Sequence, residues 1–290
     1  NLKRKIKDEN KNIISAFLTL YFSATDDKTI DQMLKTLKDS SKMQANLQKT
    51  QFYNEDSWKL YESVKDDLKT IFKFLKKIKF EKYWRENILP KTQQRIARIQ
   101  EQLPKFNIIP EIENVLGFAL PSNKIIVYML FYSQPHGIRI TGTRFLTDVA
   151  WSFSIVLRNA VHEMMHPPVK DKNDVELNEA LNQLQKDEFL MDNILNHNPA
   201  FGYNSFFGFI EEDTVQALEQ IINEKLKIER EAKIRWKEND DGMHVFAVAL
   251  YSLMKQEDFP NNKESIRDFI VRMIKTDKLS AGKIKPIYDS

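Results

Sequence analysis

The chain has 290 residues, 42% hydrophobic and 29% charged, and its 44 basic side chains nearly cancel 41 acidic ones, leaving a formal net charge of +3. That length buries a sizeable core as one large domain or two smaller ones, and the charge balance gives no global case for nucleic acid or an anionic membrane as partner. The absence of cysteine excludes disulfides, thiolate-bound zinc and thiol catalysis, and no apolar run approaches the roughly 18–20 residues of a membrane span, so no stable membrane insertion is expected.

Seven glycines against nineteen phenylalanines favour helices over a strand-and-turn architecture. Residues 1–105 read as a helical N-terminal region. Ile13, Ile14, Phe17, Leu18 and Tyr21 form a helical stripe, and Thr25-Asp26-Asp27 caps a second helix carrying Ile30, Met33, Leu34 and Leu37. After a polar stretch from Ser40 to Thr50, a helix from about Asp56 carries Trp58, Leu60, Tyr61, Val64, Leu68, Ile71, Phe72, Leu75 and Ile78. Its far face holds Lys65, Lys69, Lys73, Lys76 and Lys77. The favoured reading is a solvated lysine face over an apolar core face; the other is a basic amphipathic helix lying on a membrane.

Pro90, Pro104 and Pro110 punctuate the next stretch, with a helix from Lys91 to about Leu103. Lys124 to Tyr132 is rich in β-branched and aromatic residues and predicts a strand. Ser133 to Gly137 predicts a turn, and Ile138 to Thr141 an exposed strand. A helix is expected after a cap at Thr147-Asp148, running Val149 to His166 and stopped by Pro167-Pro168. It is apolar nearly all round, and therefore buried. Arg158, Asn159, His162, Glu163 and His166 form its one polar stripe. Beyond it lie a helix around Val175 to Leu190, a loop from Asn196 to Tyr203, and a long helix from Ser205 to Arg230. Two more follow, one with His244 to Leu253 and one from about Lys263 to Ile274. The expected fold is α+β, mostly α, with a small sheet beside the motif helix. Residues 106–290 are expected to form a second region with the sheet and the later helices, or the whole chain one continuous domain.

His162-Glu163-Met164-Met165-His166 reads H-E-x-x-H. Residues four apart share one face of a helix, so His162 and His166 can point both imidazoles at one metal ion, with Glu163 beside them as general base. This is the helix signature of a zinc hydrolase. Chance places the pentapeptide in a chain this long about one time in a hundred. A catalytic zinc needs a third protein ligand, and the pattern in which a Gly and a third His follow closely is absent. Glu211 and Glu212 sit oddly after Phe206, Phe207 and Phe209, and a metal would compensate their burial. The favourable helix N-terminus is the other explanation for them.

Val161 to His166, followed by Glu212-Asp-Thr-Val-Gln-Ala-Leu218, resembles the gluzincin branch of the zincin metallopeptidases. The resemblance covers the motif helix and the glutamate helix, and loosely the strands before them. It is nearest to bacterial members whose third ligand opens an E-x-x-V-x-A-[LI] helix. It implies a zincin-like core and Zn²⁺ held by His162, His166 and Glu212. Counting helical faces favours Glu211 instead, and that alternative stays open. The implied activity is hydrolysis of a peptide or protein substrate, with Glu163 passing a proton from a metal-activated water to the leaving amine.

An oxyanion donor is needed as well. The candidates are His244, taken as the catalytic one, and Tyr203, His197 and His136. Asn159 is placed to orient a ligand, and the strand Gly137–Thr141 to pair with an extended peptide. The resemblance, in a chain that begins without Met, implies an exported protein. The alternative function is a catalytically silent zincin-fold binding or scaffold protein.

Overall fold

The computed structural model describes residues 14–50, 53–171, 173–261 and 264–290. Ile13 and Lys263, named above in two helices, lie outside them. The chain is mostly helical with one small sheet, and it forms two compact units. The first comprises residues 1–104 and 121–156; the second comprises 105–120 and 157–290.

In the first unit, α1 (Ile14–Ser23), α2 (Ile30–Lys38), α3 (Ser41–Leu47) and α4 (Glu55–Lys77) surround one core. A capping box between Thr29 and Gln32 starts α2, and the Asn54 side chain caps α4 by accepting from Asp56 and Ser57. Tyr21 stacks on Tyr61 at 4.7 Å between centroids, with Trp58 beside both. The polar stretch after Ser40 contains α3, because Met43 and Leu47 turn inward four residues apart. A short α5 (Phe80–Tyr83) runs through a π turn at Trp84–Ile88 into α6 (Leu89–Gln100).

The sheet has the order β1-β3-β2, from β1 (Ile126–Leu130), β2 (Ile138–Arg139) and β3 (Arg144–Asp148). β3 pairs parallel with β1 and antiparallel with β2. β3 corrects the expected helix start. Phe145, Leu146 and Thr147 are consecutive and all buried, so the strand is covered on both faces and shows no alternation. Asp148 caps only a turn, accepting from Ala150. The motif helix α8 (Phe153–Met164) starts behind Ser152, whose hydroxyl accepts from Ile155. The expected exposed strand through Thr141 is also shorter: Ile140 and Thr141 are buried and only Ile138 and Arg139 pair.

In the second unit, α7 (Ile108–Leu116) packs on α11 (Phe206–Leu226) and α14 (Ile266–Lys275). The expected helix from Val175 to Leu190 is two, α9 (Val175–Leu184) and α10 (Glu188–Asn196). Asp187 breaks it by capping Leu190 and also accepting from the Gly282 amide. The unit is completed by α12 (Ala232–Glu238), α13 (Val245–Gln256), which packs along α11, and α15 (Ile284–Asp289). α11 is buried on nearly every side, polar residues included: Glu212, Asp213, Gln216, Glu219, Gln220 and Asn223 are all inside. The polar groups of α11 build the site.

Candidate metal centre

His162 and His166 lie four residues apart on α8, and their Nε2 atoms face each other at 3.2 Å. Glu212, nearly two turns into α11, brings Oε1 to 3.6 Å from His162 Nε2 and Oε2 to 3.4 Å from His166 Nε2. One ligand atom from each of the three lies within 4.8 Å of the others. Glu212 is 2% exposed, and its buried Oε2 accepts no hydrogen bond among the described residues.

The outer ring nitrogens decide what the inner ones can do. His162 Nδ1 meets Glu219 Oε2 at 3.2 Å, and His166 Nδ1 meets Glu211 Oε1 at 3.2 Å. A carboxylate only accepts, so each Nδ1 carries a hydrogen and donates it. In the neutral imidazoles both Nε2 atoms are then bare lone pairs, converging on each other and on a carboxylate. Three acceptors at such range require a positive charge among them. A proton can supply it: burial disfavours a charge on His166, but Glu211, Glu212 and Glu163 outweigh burial and raise its pKa to about 10. His162 is raised as well, burial being outweighed by Glu212 and Glu219. A metal ion supplies the same charge without protons. The buried group of His162, His166 and Glu212 can therefore hold a metal ion, and the orphaned Glu212 oxygen fits that occupant.

Glu211 stands outside the triad, on the far side of the His166 ring. The helical-face count that favoured it is thus answered by geometry: α11 turns Glu212 to the inner nitrogens and Glu211 to an outer one.

A second layer holds the first. Glu219 Oε2 accepts from Arg235 Nη2 at 2.5 Å, and its Oε1 accepts from Asn223 Nδ2 at 2.8 Å. Gln216 Nε2 donates to Glu212 Oε1 at 2.8 Å. Arg235, itself 2% exposed, also donates to Gln216 and to Gln220. Burial works against Glu219, but Arg235 and His162 hold its pKa down at about 2. Glu219 and Arg235 escape motif reading, since Arg235 reaches the site from another helix. The signal available was periodic: Glu212, Gln216, Glu219 and Asn223 recur at i, i+4, i+7 and i+11, one polar face on an apolar helix.

The expected oxyanion donor His244 is corrected. It is fully buried, with Nδ1 on Asp213 Oδ1 at 2.7 Å and Nε2 on Asp240 Oδ2 at 3.0 Å. Both nitrogens are taken by carboxylates, leaving no N–H for a substrate oxygen. Burial opposes its charge, but Asp213 and Asp240 raise its pKa to about 10. Asp213 Oδ2 also accepts from the Ala247 amide, so the pair joins α11 to the start of α13. His197 points both nitrogens at backbone carbonyls, those of Asn193 and Gly202, and serves the loop. His136 belongs to the first unit and packs edge-on against Trp151. Tyr203 is different: it is partly exposed, and burial together with Glu212 and Glu163 pushes its phenol far above the usual range. Its hydroxyl stays protonated and faces the Glu212 carboxylate at the triad. Glu163 and Asn159 are buried on α8 with the two histidines.

A cavity of about 340 Å³ adjoins this centre. Pro167, Val169, Leu177, Leu181, Phe207 and Ile270 give it apolar walls, and Glu211, whose carboxylate holds His166, lies on its rim.

Comparison with protein-family models, with curated proteins and with solved structures finds no match to this chain.

Proposed function

We propose that the protein is a zinc-dependent peptidase, with the second unit as the catalytic part of a zincin-like fold. The observation that carries the reading is the convergence of His162 Nε2, His166 Nε2 and a Glu212 carboxylate whose buried Oε2 has no hydrogen-bond partner among the described residues. Two imidazoles and one carboxylate without a thiol form a donor set that zinc takes readily, and three protein ligands leave a position open. When bound, the ion would act as a Lewis acid on a carbonyl and lower the pKa of water towards about 7. Glu163, beside both histidines, accepts a proton at its carboxylate and returns it to the leaving amine. Glu219 and Glu211 fix each histidine in the Nδ1–H tautomer, keeping the Nε2 lone pairs inward. The Tyr203 hydroxyl, held protonated, donates to the carbonyl oxygen as charge develops there. The cavity at Glu211 offers room for an apolar side chain. It is about twice the ~150 Å³ that accommodates benzene in an engineered protein cavity.

The test is metal content read together with turnover. Purified protein should carry about one zinc per chain. Glu163→Gln should keep that zinc and lose at least about a hundredfold in hydrolysis of a peptide library, the scale of a missing general base. His162→Ala should lose the zinc. Protein that stays metal-free in the presence of zinc, with its ligands intact, overturns the proposal.

A further inference from the structure

The first unit carries a surface that the metal centre does not use. Between Lys69 and Arg85 every charged side chain is basic except Glu81, in a chain whose net charge is only +3. On α4 the inward face ends in Leu68 and Phe72, which are buried. Next to it runs a second apolar stripe, Ile71, Phe74 and Ile78, at i, i+3 and i+7, which are neighbours on one helical face. These three are 38%, 59% and 50% exposed. Tyr83 and Tyr132 are exposed too, and the Phe80 ring lies 6.3 Å from each. Lys69, Lys76 and Lys82 are paired with Asp66, Asp31 and Glu86. Among the described residues Lys73, Lys77, Lys79 and Arg85 form no salt bridge.

A solvated helical face is built from polar side chains, and single apolar residues on it need no explanation. An aligned aliphatic and aromatic stripe beside unpaired lysines does. We propose that this surface binds the face of an anionic lipid bilayer, with Ile71, Phe74 and Ile78 entering the headgroup boundary and Lys73, Lys77 and Lys79 meeting lipid phosphates. The occupant follows from the chemistry. The unpaired charge calls for an anionic partner, and the aliphatic stripe calls for one that is apolar just beneath its charge. A single-stranded nucleic acid would use the lysines and stack on the aromatic rings, but it gives Ile71 and Ile78 nothing to bury against. No helix among the described residues is long and apolar enough to cross a membrane, so the contact is peripheral. Tyrosine is suited to that boundary, where one end of the ring is wet and the other apolar.

The test uses the full chain and sedimentation with vesicles, either of phosphatidylcholine alone or of an equal mixture with phosphatidylglycerol. Binding is expected to the anionic vesicles only, weakening as salt is raised. Lys73→Glu with Lys77→Glu should weaken it more than about tenfold, since each lysine at such a surface contributes about fivefold. Phe74→Ser with Ile78→Ser, which leaves the charge unchanged, should weaken it about tenfold as well. Thermal melts confirm that these surface variants fold. Phe74→Trp adds a direct readout, an emission blue shift on anionic vesicles. Failure to bind anionic vesicles at low salt overturns the proposal. So does binding that is indifferent to Phe74 and Ile78. Preferential capture of polyuridylate through the lysines alone would reassign the surface to nucleic acid and overturn it equally.

Discussion

At the level of single side chains, the centre depends on which nitrogen of each histidine carries its hydrogen. Glu219 and Glu211 set that choice, so their loss should be felt by the metal before the fold. Glu219→Gln is expected to weaken zinc affinity about 10–100-fold, the usual cost of removing a carboxylate behind a histidine ligand. Titration with a competing zinc chelator measures it, while circular dichroism should change little. The buried pair His244 and Asp213 is expected to behave oppositely. Asp213→Ala leaves the buried imidazole with Asp240 as its one carboxylate partner and frees the Ala247 amide, and should cost about 3 kcal/mol in stability, read by urea unfolding. The pairing of His162 with His166 was legible in the sequence because the helical period alone aligns residues four apart. Arg235 and the sequestration of His244 were not, because each depends on which segment packs against α11, and no local pattern encodes that neighbour; Glu219 shows only through the polar period of α11 itself.

At the level of elements, caps and charged bridges determine where helices stop and what they hold. Asp174 caps α9 by accepting from Leu177, and the same carboxylate is gripped by Arg267 of α14 at 2.7 Å. The hydrogen bond from Arg267 holds the Asp174 pKa down at about 2. A carboxylate depressed in the folded state stabilises at pH above its unfolded value near 3.9, and that contribution is lost as pH falls towards 2. Arg267→Ala should therefore lower the melting temperature at pH 6 and have a smaller effect at pH 2.5, and a pair of melts decides it. Helices with strong amphipathic stripes, such as α2, α4 and α14, were readable to within a few residues, although α2 is capped by Thr29 and Gln32 and not by the expected Thr25 to Asp27. β3 was not. A strand covered on both faces has no alternation, and Arg144 to Asp148 is too short to separate from the helix behind it. The break at Asp187 was hidden for a related reason, since the apolar spacing runs on through it and only the Gly282 contact shows why the chain turns.

At the level of the whole molecule, the centre lies within one of two compact units. An ion that binds the folded state alone should raise its stability by about 2.7 kcal/mol at a hundredfold excess over its dissociation constant. Calorimetry with and without a chelator should show this as a melting transition displaced by several degrees. His162→Ala should abolish the displacement while leaving the rest of the thermogram in place. The near-neutral total charge also conceals a local imbalance: one stretch of the first unit is almost wholly basic, and composition averages it away.

Glu212 and Glu219 face opposite sides of the same imidazole from positions seven residues apart on α11. Seven residues advance a helix about 10.5 Å and bring it within about 20° of the starting direction. The helix therefore acts as a ruler with two marks, and the spacing between them counts as much as the residues themselves. A single residue inserted after Gln216 would keep every functional group in the chain, yet swing the second mark about 100° away from the ring. Length along this one segment is thus under the same constraint as identity, and homologous centres should tolerate substitution between the marks far better than insertion or deletion.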